Sequence, residues 1–357
     1  MNIPNKMQAA RLLGHGGLDQ LEIRDDQPVP VPGPGEVLIR VGASAINNTD
    51  INTRTAWYST AVGDEEPDDD GTWAGAAMEF PRIQGADVCG RIVAVGDGVD
   101  AARIDERILV EPSMMKAGQD DPFNIQYFGS ELDGGFAEFT KAPADYVHKI
   151  NSAMTDAELA SFPCSYSTAE NMLTHSELKK GESVLITGAS GGVGSAAVQL
   201  ARRRGARVTA VAGAAKSHAV FNLGADSVIP RGSSLADALG PESIDVVIDL
   251  VAGPDWPDLV TVLRRGGRYA VAGAIGGPFV AFDVRQLYLK DLKFFGCTVL
   301  APDVFTNLIG YIERNEIEPL VTGTYPLSEI AAAQEVFLAR KHIGKIVLTP
   351  FTQEHTA

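Results

Sequence analysis

The stretch SVLITGASGGVGSAAVQLARRRGA, residues 183–206, runs from an apolar strand-like segment into a glycine-rich turn and then into a helix-forming segment. Ala189, Gly191 and Gly194 take the three positions of a G-x-G-x-x-G turn, with alanine first, and Ser190 and Val193 fill the intervening places. Glycine at 191 and 192 lets the backbone approach a pyrophosphate, and Gly194 lets helix and strand pack closely, with the phosphates at the helix N-terminus. Glycine turns between strand and helix also arise for packing alone. Here the next strand, RVTAVAG, falls where a βαβ unit requires it, so the chemistry expected is dinucleotide binding.

The end of that next strand selects the cofactor. A site for NAD places Asp or Glu about 20 residues past the glycines, on the ribose 2′-hydroxyl. This chain has Ala212 and Gly213 there, followed by Lys216, with Arg231 after the third strand in SVIPRGS. Losing the carboxylate removes repulsion toward a 2′-phosphate and the cations supply attraction, so NADP(H) is expected. The plainer alternative is that Lys216 caps a surface helix.

A second candidate is PRIQGADVCG, residues 81–90, where Asp87 and Cys89 stand two apart in a chain with only three cysteines. Cys89, Cys164 and Cys297 are widely spaced and form no C-x-x-C pair, so no disulfide framework is implied. The acidic segment GDEEPDDDGTWAG, residues 63–75, lacks the EF-hand spacing and reads as a solvated loop rather than a calcium site.

These residues need elements to hold them. At 357 residues the chain exceeds one typical domain of about 100 to 200 residues, and 45% hydrophobic against 21% charged residues fits a globular protein. A net charge of −16 argues against nucleic acid as a partner. The N-terminus lacks the apolar core of a signal peptide, and the run YAVAGAIGGPFVAF is broken by glycine and proline short of a bilayer span, so no membrane contact and a cytoplasmic location are expected. Up to about residue 150 the chain reads as short β strands, EVLIRVGASAI and GRIVAVGDGV among them, punctuated by Gly and Pro. From residue 153 strands and helices alternate, SVLITG, RVTAVAG, DVVIDLV and GRYAVAG being the strands, which signals an α/β doubly wound parallel sheet.

Over nearly its whole length the sequence resembles the medium-chain dehydrogenase/reductase superfamily, and within it the zinc-free quinone oxidoreductase-like branch. The resemblance is carried by GPGEVLIRVGASAINNTD, QGADVCGRIVAVGDGV, DGGFAEF, TGASGGVGSAAVQLA and the closing GKIVL, in the family's order. It implies a GroES-like catalytic domain, residues 1–152 and 296–357, interrupted by a Rossmann nucleotide domain, 153–295. Zinc alcohol dehydrogenases of this superfamily hold a metal on a Cys, the His of G-H-E and a second Cys. By resemblance those places are Asn47, the triplet Gly85-Ala86-Asp87, and Cys164. Asn47 and Ala86 supply neither thiolate nor imidazole, so no metal is expected. Cys89 then reads as a small buried apolar residue.

Without a metal, the expected chemistry is hydride transfer from NADPH to a quinone or an α,β-unsaturated carbonyl, whose conjugation spreads the incoming charge. The resemblance assigns Asn47 and Tyr58 as hydrogen-bond donors to the substrate oxygen, with Tyr58 a proton source; an aromatic lining without chemistry is the alternative for Tyr58. Asp50 and Arg54, four apart, read as an internal ion pair. Thr168 resembles the family residue beside the nicotinamide, and DLVAG and VAGAIGG, with Val251 and Ala274, are expected to line the dinucleotide site. The edge-strand-like LKFFGCTVL predicts a homodimer. An alcohol dehydrogenase using Asp87 and Cys164 in an unusual metal set, or an NADPH-binding protein without catalysis, are the competing readings.

Overall fold

Strand Glu36–Ala45 organises the β-rich unit because both of its faces are covered. Val37, Ile39 and Val41 alternate onto one face and pack with Ile92, Ile108, Val110, Met114 and Phe128. Leu38 joins the opposite cluster with Met7, Ala9, Phe136, Phe139, Ile346 and Leu348. The sheet runs Val147–Lys149, Arg107–Val110, Cys89–Val95, Glu36–Ala45, Lys345–Thr349, Val321–Pro326, with Phe139–Pro143 also paired to Glu36–Ala45. The C-terminal strand thus returns to the N-terminal sheet, Val347 opposite Ala45 and Leu348 opposite Ser44. A computed structural model describes residues 3–59, 72–74, 77–116, 118 and 121–351.

The second unit contains a six-stranded parallel sheet. Its strands lie in the order Ser227–Pro230, Arg207–Ala212, Ser183–Ile186, Ile244–Asp249, Leu263–Val271, Lys293–Gly296, which is 3-2-1-4-5-6 in chain order. Val184, Leu185 and Ile186 are all buried, the continuous apolar run of a strand covered on both faces. Helix Gly192–Arg203 buries Ala196, Ala197, Leu200 and Ala201 and turns Arg202 and Arg203 outward, one apolar stripe at helical spacing. The α/β class, a GroES-like β unit with a Rossmann sheet, is as expected.

The two units are Met1–Cys164 with Pro319–Ala357, and Ser165–Glu318, later at both junctions than the expected 152 and 296. Hydrogen bonds within the second unit explain the shift. Tyr166 Oη donates to the Glu318 carbonyl at 2.6 Å, Asn171 Nδ2 to the Val299 carbonyl at 2.9 Å, and Tyr311 Oη to Glu170 at 3.2 Å. Helix Val304–Glu313 and all of helix Pro163–His175 beyond Cys164 therefore belong to the second unit. Among the described residues no helix is long and apolar enough to cross a membrane.

Candidate active site

Helix Asn48–Arg54 starts where strand Glu36–Ala45 ends, with Asn47 extended at φ −122° and ψ 163° as its N-cap. Asp50 closes a capping box, accepting the Asn47 backbone N–H at 2.7 Å. The Asn47 carboxamide does not point freely into solvent. Its Nδ2 donates to Asp87 Oδ2 at 3.0 Å and faces the Ala45 carbonyl at 3.4 Å, while its Oδ1 accepts from Lys345 Nζ. Lys345 Nζ also pairs with Asp87 Oδ2 at 2.8 Å, both side chains being buried. The other Asp87 oxygen accepts the Cys164 backbone N–H at 2.6 Å. Asn47, expected as a substrate-facing donor, is thus already engaged at both ends of its amide.

Asp50 is 2% exposed, and burial pushes its carboxyl up to about 7; the neighbouring Asp87 charge adds to this, and the Asn47 N–H and Lys345 ammonium oppose it. The expected pairing of Asp50 with Arg54 does not occur. Arg54 instead donates to the Gly16 carbonyl at 2.6 Å and to Gln334 at 3.1 Å, because Asp50 turns back on its own helix N-terminus and also accepts the Gly85 N–H at 3.3 Å. His15 is equally local, its Nδ1 lying 2.9 Å from the Thr53 carbonyl. Tyr58 follows the helix, and burial raises its phenol above the ordinary range, with the side chains of Thr49 and Asn52 pulling the other way. The Thr49 hydroxyl is buried and faces the Tyr58 phenol. Tyr127, 1% exposed and stacked on Trp73 at 4.0 Å, lies near enough to Tyr58 and Cys164 that their charges would add to the burial that raises its phenol. A thiol and two phenols therefore gather beside the Asp50 helix. Cys89 is fully buried and its thiol is pushed well up by burial, so it stays protonated. Among the described residues no group of three or more His, Cys, Asp or Glu is arranged to hold a metal ion.

In the nucleotide unit the tight turn falls on Gly188, at φ 59°, rather than on Ala189, whose N–H instead bonds the Val211 carbonyl at 3.1 Å. A Cβ on Gly194 would stand 2.2 Å from the Gly188 carbonyl oxygen, so that position admits only glycine. Gly191 caps helix Gly192–Arg203 without a side-chain bond, leaving the first-turn N–H groups directed at whatever lies beyond it. Ala212 ends strand Arg207–Ala212 and Gly213 follows as the N-cap of Ala214–Lys216. The Arg231 N–H bonds the Ala212 carbonyl at 2.7 Å, which brings Arg231 beside that strand end. The Lys216 pKa is lowered first by burial and then by the nearby Arg231 charge, so the two cations share one neighbourhood. The adjoining Ser217 hydroxyl is buried without a partner.

Val251 sits on a loop held by buried Asp249, which accepts the Val251 N–H at 2.9 Å, the Ala252 N–H at 3.2 Å and the Tyr269 hydroxyl at 2.7 Å. The Val251 side chain lies 3.3 Å from where a Gly188 Cβ would be, so the loop flanks the glycine turn. Gly276 N–H bonds the Val251 carbonyl at 2.7 Å, bringing the segment with Ala274 to the same place. Thr168 is half-buried on helix Pro163–His175. Sequence reasoning missed Gly188, Thr49, Tyr127 and Lys345. Gly188 and Thr49 each adjoin a motif that was read, whereas nothing in GKIVL marks Lys345 as an inward-pointing cation. The acidic segment 63–75 lies mostly outside the described residues.

The sequence matches the family described as "Alcohol dehydrogenase GroES-like domain" over residues 33–152 and that described as "Zinc-binding dehydrogenase" over residues 192–314. It is 29% identical to an acryloyl-coenzyme A reductase of Metallosphaera sedula, covering 96% of this chain and 100% of that protein. It is 30% identical to a quinone oxidoreductase of Lama guanicoe, covering 96% and 97% respectively. The crystal structure of a putative alcohol dehydrogenase from Sinorhizobium meliloti superposes with a TM-score of 0.90 at 46% identity, covering 98% of each chain.

Proposed function

Since the chain belongs to the medium-chain dehydrogenase/reductase superfamily, we propose that it is an NADPH-dependent reductase that transfers hydride to an α,β-unsaturated carbonyl or a quinone without a metal. Relatives and structural neighbours alike support an oxidoreductase of this superfamily that uses a nicotinamide dinucleotide. The observation that carries the metal-free reading is the donor set around Asp87. A metal does not fit it: zinc takes about four N, S or O donors, while Asn47 and Ala86 offer neither imidazole nor thiolate and the Asp87 carboxylate already holds an ammonium. An acceptor that spreads its own developing charge, such as the conjugated substrates named for the relatives, suits such a site.

The residues of the nucleotide unit fit NADPH. The glycine turn admits a pyrophosphate, and Lys216, Arg231 and the orphan Ser217 hydroxyl together match a 2′-phosphate where an acid is missing. Bound NADPH would supply the hydride. Tyr58 holds a proton at Oη, donates a hydrogen bond to the substrate oxygen as charge collects there, and provides the proton that completes the reduction. The Thr49 hydroxyl, beside that phenol, helps to hold it in place.

Binding titrations test the cofactor half. Lys216→Ala is expected to weaken NADPH roughly ten- to a hundredfold and to leave NADH nearly unchanged, as a charge-assisted bond of about 1.5 to 3 kcal/mol requires. Ala212→Asp shifts preference toward NADH by adding repulsion and a hydroxyl acceptor. Equal affinities for both cofactors in the unsubstituted protein would refute it. Stoichiometric zinc, lost together with activity in Cys164→Ser, would favour the alcohol dehydrogenase reading instead.

A further inference from the structure

We propose that the Lys345 ammonium is the built-in cation of this site: it holds the Asn47 carboxamide and the Asp87 carboxylate together at the start of helix Asn48–Arg54, and through them positions Thr49 and Tyr58. The inference rests on the functional reading above and deepens it by naming what takes the electrostatic place of a metal.

Three observations carry it. Lys345 Nζ, Asp87 Oδ2 and Asn47 form a closed ring of contacts, Lys345 to Asp87 at 2.8 Å, Asn47 to Asp87 at 3.0 Å, and Lys345 to the Asn47 oxygen, with the charged side chains 3% and 0% exposed. Two of its members stand in the stretches where the zinc relatives are expected to carry ligands, and the Cys164 N–H ties the third such stretch to the same carboxylate at 2.6 Å. The lysine is aimed there by the backbone: its N–H bonds the Leu320 carbonyl at 2.7 Å, and Gly344, at φ 81°, has that carbonyl oxygen 2.4 Å from where a Cβ would stand. A buried ion pair adds little net stability over apolar residues of the same volume, so its presence points to a positioning role rather than to stabilisation.

The test is chemical rescue. Lys345→Ala is expected to lower the melting temperature and to cut NADPH-dependent turnover about a hundredfold through misplaced groups, with NADPH binding unchanged. Added n-propylammonium, but not sodium chloride at equal ionic strength, should raise both quantities in the variant and neither in the unsubstituted protein. Lys345→Met combined with Asp87→Asn removes both charges and should regain melting temperature without regaining turnover. Unaltered turnover in Lys345→Ala, or recovery of melting temperature and turnover together in the double variant, would overturn the assignment. Should Lys345→Ala not fold, Lys345→Arg keeps a displaced charge, and near-normal melting temperature with reduced turnover supports the assignment while equal turnover refutes it. If the unsubstituted protein reduces no quinone or enone, the functional reading fails, and rescue of melting temperature by n-propylammonium alone decides whether this position takes a cation.

Discussion

A phenol raised above its ordinary pKa by burial, as Tyr58 is, keeps its proton through neutral pH and has it ready when negative charge reaches a nearby oxygen. Tyr58→Phe is therefore expected to lower turnover about a hundredfold while cofactor affinity, assigned above to the glycine turn, stays put. Steady-state rates with either acceptor class check this, and unchanged turnover would reduce Tyr58 to a lining residue. Asp50 supplies a stability test instead. Its folded pKa of about 7 lies above the ordinary 3.8, so between those values the folded state holds a proton that the unfolded chain has lost. Stability must then fall as pH rises from about 4 to 7 and level off above. Asp50→Asn should flatten that slope in denaturant titrations across the window, and a slope that persists would show that another group carries it. Asn47 was legible as a site residue, but its partner Lys345 lies 298 positions away in sequence, so its engagement is a product of the sheet and not of any local pattern.

At the level of elements, strand Lys293–Gly296 closes the parallel sheet and is paired on one side only, to Leu263–Val271, among the described residues. Phe294 on that strand is 36% exposed, and the segment that precedes the strand leaves Phe279 79% exposed and Val284 and Tyr288 each 61% exposed. An apolar edge of this kind invites a second copy. The expected outcome is a homodimer by light scattering at micromolar concentration, and a shift to monomer in Tyr288→Glu; a monomeric unsubstituted protein would contradict it. The βαβ unit was readable in advance because its strand, turn and helix obey local rules. Within the turn, the positive φ of Gly188 is a feature that no periodicity announces. Helix Asn48–Arg54 was visible only as an Asp50 and Arg54 spacing, and both side chains found other partners once the sheet had formed.

Across the whole molecule, the change from β-rich to alternating grammar marked two units, while the junctions at 164 and 318 depend on hydrogen bonds to Tyr166, Asn171 and Glu170 that no composition shift announces. The net charge of −16 makes the clustering of Lys216 and Arg231 a local exception, as the proposed 2′-phosphate site requires. The most direct measurement is steady-state oxidation of NADPH and of NADH by chelator-treated protein with a panel of enones and quinones. Turnover that survives chelation, with kcat/KM for NADPH at least about tenfold above that for NADH, is the predicted result. Activity that disappears on chelation and returns with zinc, or that shows no preference between the two cofactors, would contradict it.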